Sequence, residues 1–367
     1  MNEDKAVRYH RLKRRASVAS MLWSVMLLAG LVALGGHITL RDAAERAVPI
    51  APVAAYVFLL SCINEAVGLP IAFYSGLLLD RRYGLSREPV RAWLADQAKS
   101  FVIGVTLGGA AASLVYWLIR RSPEGWWLSG GLAFAVIIIG VTNLAPVVLL
   151  PLFYSFKPLG RADLRQRLLT LAERAGARVV GAYEWGLAVK TTKANAALAG
   201  LGGTRRILVS DTMLAEYSDE EIEVVLAHEL AHHVHGDIWK GVVFESGLVI
   251  AGFYLAAQVL SVFAGPARLR GVDDIAGLPL LLLAAGAVSL VMLPVGLAMS
   301  RAFERSADRF ALDLTNNPSA FKSAMRRLAA QNLAEEQPSK IVQWLFYSHP
   351  PIRERLAVAE TFTVATQ

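Results

Sequence analysis

The stretch Val224-Val225-Leu226-Ala227-His228-Glu229-Leu230-Ala231-His232-His233-Val234-His235-Gly236-Asp237 decides how this chain is read. Ser218 and Glu221 ahead of it form a capping box, with Asp219 and Glu220 well placed against the helix dipole, so the stretch is expected to be helical. On a helix, the i, i+4 spacing of His228 and His232 sets two imidazoles one turn apart on one face. They can grip a single zinc ion, with Glu229 standing beside it. With 7 His in 367 residues, composition alone supplies an H-E-x-x-H only roughly 0.006 times in such a chain. His233 points about 100° away from His232 and His235 lies a further turn along, so a supporting role is expected for both.

Two histidines leave zinc short of a third protein ligand. The single cysteine, Cys62, excludes both an intramolecular disulfide and a cysteine-rich metal cluster. The longer H-E-x-x-H-x-x-G-x-x-H pattern fails, because His235 and Ile238 stand where Gly and His belong. A carboxylate from a later helix is then expected. Glu304 in Glu304-Arg305-Ser306-Ala307-Asp308 is the best candidate, with Asp308 one turn on to accept a hydrogen bond from a ligand imidazole.

Working outward, 55% hydrophobic and 18% charged residues do not suit a soluble multidomain chain, and they exclude intrinsic disorder and collagen. Six apolar stretches are long enough to cross a bilayer as helices: Val18 to Leu40, Val48 to Leu79, Phe101 to Ile119, Trp126 to Tyr154, Gly241 to Ala264 and Ile275 to Met299. The first exceeds a signal-peptide core and lacks a cleavage pattern, so it is expected to be retained. The second holds Asn64, Glu65, Gly68 and Pro70, and is expected to be kinked or tilted. Glu65 and Glu245, costly in lipid, are expected to face a wet interior or pair with an Arg.

Eleven Lys and Arg residues lie in the N-terminal tail and the loop after the second span, against six in the alternate loops. Both termini and the polar segment Lys157 to Lys240 are therefore expected on the cytoplasmic side. The net charge of +7 follows from that asymmetry. No basic patch is interleaved with aromatics, so nucleic acid is not an expected partner.

The expected fold is mainly α: a multi-pass helical membrane protein of about six spans, carrying a gluzincin-like α+β zinc domain built from two chain segments. Four regions follow: 1-156 with four spans, 157-240 with the H-E-x-x-H helix, 241-300 with spans five and six, and 301-367 with the third ligand. Within 157-240, Arg161 to Ala175 has helical apolar spacing. Arg178 to Trp185, Val189 to Leu198 and Arg206 to Ser210 read as strands, with Gly200, Gly202 and Gly203 in a turn.

The motif helix, the Glu304 to Asp308 segment and the tail Ser348-His349-Pro350-Pro351-Ile352-Arg353-Glu354-Arg355 together resemble the type I CAAX prenyl endopeptidases, which are membrane zinc proteases. Arg82-Tyr83-Gly84-Leu85, Asp96-Gln97 and the Pro151 to Pro158 stretch are similar to that family's membrane region. The shorter HtpX quality-control proteases share the zinc motifs but are less similar in the membrane half.

The resemblance implies one Zn2+ per chain on His228, His232 and Glu304, with Glu229 as general base and acid. It implies oxyanion donors in His349 and Arg355, and a substrate-binding edge strand at Asn195 and Ala196. The implied activity is hydrolysis of membrane-associated peptides or proteins, prenylated or not, at the cytoplasmic face, and the implied surroundings are the lipid bilayer. An Ala-, Leu- and Arg-rich composition suits a bacterial cytoplasmic membrane. The alternatives are an HtpX-like quality-control protease and a catalytically silent zinc scaffold, and an intact Glu229 argues against the scaffold.

Overall fold

A computed structural model describes residues 2–200 and 204–362. Among them, six helical segments are long and apolar enough to cross a membrane: Lys5–Ala33, Pro52–Arg82, Val90–Arg121, Trp126–Leu152, Asp237–Phe263 and Ile275–Thr315. Exposed Met26, Val136, Val243 and Val291 on their outer faces suit lipid rather than water.

The first helix, α1 (Asn2–Ala33), is shorter at its far end than the apolar stretch to Leu40 suggested. Gly35 adopts φ 76°, a left-handed conformation that glycine takes without strain, and the chain restarts as α2 (Gly36–Ala47). A Cβ on Gly36 would lie 2.9 Å from Leu31 Cδ2, so a larger residue here would displace that side chain. The buried His37 then sits between the carbonyls of Leu31 and Ala267, and Arg41 pairs with Asp274 at 2.7 Å, tying α2 to the loop between the last two spans.

Next, α3 (Pro52–Ala72) passes through a π-helical segment, Phe73–Leu78, into α4 (Leu79–Arg82). The irregularity follows Pro70, which has no N–H to give the helix and forces the local repacking foreseen for this stretch. The long α5 (Val90–Arg121) and α6 (Trp126–Leu144) complete the first half, and a second π segment, Ala145–Leu149, begins beside Pro146. Among the described residues, Val53, Tyr56, Tyr116, Ile119, Leu260 and Ala284 belong to the buried core of the membrane bundle.

The chain then forms a four-stranded sheet in the order β1-β2-β4-β3. Its strands are β1 (Ser155–Pro158), β2 (Gly181–Gly186), β3 (Ala196–Ala199) and β4 (Arg206–Ser210), with α7 (Ala162–Arg174) between the first two. β1 and β2 are antiparallel, β2 and β4 parallel, β3 and β4 antiparallel. Two strand expectations are corrected. β1 was not foreseen, because a four-residue strand directly after an apolar run shows no alternation of its own. Of Val189 to Leu198, only the end is strand. Asp211 Oδ1 accepts from Leu187 N–H and Ala188 N–H, each at 2.9 Å, and the stretch that follows bonds to another part of the chain, Arg87 N–H donating to Lys190 C=O and Thr192 N–H to Leu85 C=O. Gly200 takes φ 94°, as a turn requires, while Gly202 and Gly203 lie outside the described residues.

After α8 (Asp211–Glu216), the motif helix α9 (Asp219–Val234) is capped by Ser218. Gly236 at φ 69° turns the chain directly into α10 (Asp237–Phe263), so the H-E-x-x-H helix and a membrane span meet through a two-residue hinge. Then α11 (Leu278–Thr315) runs unbroken for 38 residues out of the bundle and into the domain. α12 (Pro318–Gln331), α13 (Lys340–Phe346) and α14 (Ile352–Glu360) finish the domain. Leu168, Ile207, Ile222, Leu226 and Phe321 are fully buried in its core. Each contributes about 1.5–3 kcal/mol by burial alone.

Candidate metal centre and active site

The site begins with the start of α9. Ser218 Oγ accepts from Glu221 N–H at 3.3 Å, and Glu221 Oε2 accepts from Ser218 N–H at 2.9 Å, so both members of the capping box are present. The other oxygen of Glu221 accepts from Ser323 Oγ at 2.5 Å, locking α9 to α12. Val224, Leu226, Ala227, Leu230 and Ala231 bury the inner faces of the helix, leaving His228, Glu229 and His232 on the side that meets α11. The two imidazole centroids lie 5.1 Å apart and the rings stand at 85° to one another.

The carboxylate of Glu304, on α11, faces both rings. Its Oε2 is 3.1 Å from His228 Nε2 and its Oε1 is 3.4 Å from His232 Nε2. The continuity of α11 makes this possible: the helix that crosses the membrane carries Glu304 into the domain. One ligand atom from each of His228, His232 and Glu304 can be chosen so that all lie within 4.8 Å of one another. Tetrahedral zinc with nitrogen and oxygen ligands needs neighbouring donors about 3.3 Å apart. Glu304 Oε2 is buried and receives no aligned hydrogen bond, although nitrogens of His228 and His349 stand at 3.1 and 2.7 Å. A buried carboxylate oxygen surrounded by nitrogens but unbonded to them is what a cation site leaves, and the donor set suits zinc.

Each of the two imidazoles is held from its other nitrogen. His228 Nδ1 lies 2.9 Å from Asp308 Oδ1, and His232 Nδ1 lies 3.1 Å from Asp237 Oδ2. Carboxylates on both Nδ1 atoms fix the tautomer and aim both Nε2 atoms at Glu304. Burial works against the imidazolium of His228, but the neighbouring carboxylates of Asp308 and Glu304 outweigh it and hold the group up at about 9. His232 is raised too, burial being outweighed by the Glu304 hydrogen bond. Burial pushes the Glu229 carboxyl above the usual carboxylate range, a setting that favours accepting and returning a proton.

The tail residues divide. His349, exposed on the loop before α14, places Nδ1 2.7 Å from Glu304 Oε2 and so borders the ligand cluster. Arg355 is half-buried on the opposite side of His228. Its Nε donates to Asp308 Oδ2 at 2.8 Å, its Nη2 donates to Asp308 Oδ1 at 2.5 Å, and Nη2 lies 3.3 Å from His228 Nδ1. Ala196 begins β3, the outer strand of the sheet on the side of α9, and Asn195 precedes it, its carbonyl accepting from Ser210 N–H at 2.9 Å.

Sequence reasoning missed two residues of this arrangement. Asp237 closes the motif stretch and was given no role, although its position just past Gly236 offered a signal for a turn back toward His232. Arg301, one turn before Glu304, donates to the carbonyls of Gln343 and Tyr347 at 3.1 and 2.6 Å and secures the loop that carries His349. Nothing in the sequence marks that contact. His233 and His235 do not join the ligand cluster: His233 Nε2 lies 3.1 Å from Leu198 C=O, and His235 Nδ1 lies 3.2 Å from Ser306 Oγ. Glu65 lines a cavity of about 500 Å³ with Asn64, Gln97 and Ser100, and Glu245 lines a more apolar one of about 430 Å³.

Comparison with known proteins gives the family and the fold. Residues 158–363 match the family model for peptidase family M48, and residues 2–155 match that for the CAAX prenyl protease N-terminal region, five membrane helices. The uncharacterized metalloprotease YhfN of Bacillus subtilis is 32% identical over 86% of this chain and 75% of its own length. CAAX prenyl protease 1 of Saccharomyces cerevisiae is 27% identical over 85% of this chain and 72% of its own. The crystal structure of S. mikatae Ste24p superposes with a TM-score of 0.85, covering 98% of this chain and 88% of that one at 24% identity, a likeness of fold.

Proposed function

The chain belongs to peptidase family M48 and is an integral-membrane metalloprotease, and from that premise we propose that it is a zinc endopeptidase acting on membrane-associated polypeptides at the cytoplasmic face, CAAX-type prenylated ones among them. The observation that carries the reading is the convergence of His228, His232 and Glu304 beside a half-buried Glu229. One zinc ion per chain is held by these three ligands. When bound, zinc supplies Lewis acidity, which acidifies water and polarises a carbonyl.

The remaining work falls to the chain's own groups. Glu229 takes a proton from the attacking water and returns it to the leaving amine, a task that its raised pKa suits. His349, the exposed group at the rim of the cluster, donates to the developing oxyanion. Arg355 serves that charge from further back, by fixing Asp308 and through it His228. The substrate backbone lies against the edge of β3 at Asn195 and Ala196. The cation excess in the N-terminal tail and the loop after the second span supports a cytoplasmic site, and a bacterial cytoplasmic membrane suits the composition.

The test is zinc analysis of purified protein together with proteolysis of a farnesylated CAAX-type peptide and its unprenylated twin. Cleavage of the first in preference to the second supports prenyl-dependent processing. Equal cleavage of both moves the reading to an HtpX-like quality-control protease, and cleavage of neither, across a broad peptide set, moves it to a silent scaffold.

A further inference from the structure

The edge of β3 is closed at both ends by side chains. Ser210 N–H donates to Asn195 C=O, so residues 195, 197 and 199 turn their backbone groups toward β4 and residues 194, 196 and 198 turn theirs outward. Three further hydrogen bonds have the same parity. Asn332 Oδ1 accepts from Ala194 N–H at 3.1 Å, Asn332 Nδ2 donates to Ala194 C=O at 3.2 Å, and His233 Nε2 donates to Leu198 C=O at 3.1 Å. Asn332 therefore occupies both groups of Ala194 as a neighbouring strand would. At the other end the occupant comes from α9 itself, one residue after His232. Ala196 N–H, Ala196 C=O and Leu198 N–H are the groups that face outward between them.

Resting on the reading that a substrate adds a strand to this edge, we propose that Asn332 and His233 are positioning residues that limit backbone pairing to this three-group window. The enzyme thus takes an extended segment of about three residues, free to turn away on either side, and refuses a long strand. A chain terminus or a short loop beside the membrane has that form; the strand of a folded sheet does not. The two blocks also protect an otherwise open edge from pairing with other chains. His233 bonds the edge directly to α9, one residue from His232, and so ties the window to the metal ligands.

The test measures binding of fluorescein-labelled, Lys-capped alanine peptides, from tripeptide to octapeptide, to the zinc-loaded full-length Glu229→Gln protein in lipid nanodiscs. In this parent, affinity is expected to level off at the tetrapeptide. Adding Asn332→Ala frees the groups of Ala194, so the octapeptide should bind about fivefold tighter while the tripeptide is unchanged, the effect of one more backbone hydrogen bond. At the other end, His233→Leu should extend the window in the same way, whereas His233→Gln, which keeps a donor, should retain the plateau. That pair carries the test if Asn332→Ala misfolds. Equal weakening at all lengths, or no dependence on either residue, means a merely structural role and overturns the proposal. Affinity that keeps rising with length in the parent rejects the window alone, and failure of every peptide to bind rejects the protease reading with it.

Discussion

Arg355 lays two nitrogens along the carboxylate of Asp308, Nε 2.8 Å from Oδ2 and Nη2 2.5 Å from Oδ1, while that same Oδ1 lies 2.9 Å from His228 Nδ1. The guanidinium thus holds the group that holds His228. Arg355→Lys keeps the charge but replaces a planar fork with a single ammonium. Zinc affinity, measured by chelator competition, is expected to fall about ten- to hundredfold. Unchanged affinity would show that Asp308 orients His228 unaided.

Replacing Glu304 with Gln should lower zinc occupancy at least tenfold, because a neutral amide is a poor ligand where the cation needs an anionic oxygen. Elemental analysis decides it: full occupancy in the variant places the third ligand elsewhere.

Zinc binding should release protons. The metal-free His228 is held up at about 9, so at about pH 7.5 it carries a proton that it must lose to become a ligand. Affinity should therefore rise with pH up to about 9, and calorimetry in buffers of different ionisation enthalpy should count at least one proton released. The sign for folding is the reverse. A pKa raised from 6.5 to about 9 stabilises the metal-free protein fully below 6.5, and that contribution is lost as pH rises through 9. Zinc uptake without proton release would mean that His228 is already neutral.

Glu229→Gln keeps the size and hydrogen-bonding reach of the side chain but removes the base. A folded, zinc-loaded protein is expected, with peptide cleavage at least a hundredfold slower and with retained peptides that identify the natural substrate. Cleavage at the parent's rate would disprove the role given to Glu229.

Orientation can be read by labelling single cysteines in a Cys62→Ala background. Ile50, 96% exposed between α2 and α3, and exposed Arg91 at the start of α5 lie at opposite ends of the span Pro52–Arg82. Ile50→Cys should react with an impermeant thiol reagent applied outside cells, and Arg91→Cys only after the membrane is opened. The reverse pattern would put the active site on the other face.

By itself the sequence determined the features that depend on local spacing or on solvent. The apolar runs required six spans, because unpaired backbone cannot cross lipid. The Ser218 to Glu221 box set the start of α9, and the i, i+4 spacing placed His228 and His232 on one face. The strands were less legible: β1 is four residues long and follows an apolar run, and the segment before Ala196 is a loop whose backbone bonds to Leu85 and Arg87, from another part of the chain. Only the tertiary structure decided that α11 continues unbroken from the bundle to Glu304, that Asp237 rather than a distant residue supports His232, and that Arg355 faces Asp308. The tertiary structure also set Asn332 against Ala194, 138 positions apart. Such pairings carry no periodicity. They are fixed by where packed helices bring buried charges and backbone groups, each of which must find a partner once water is excluded.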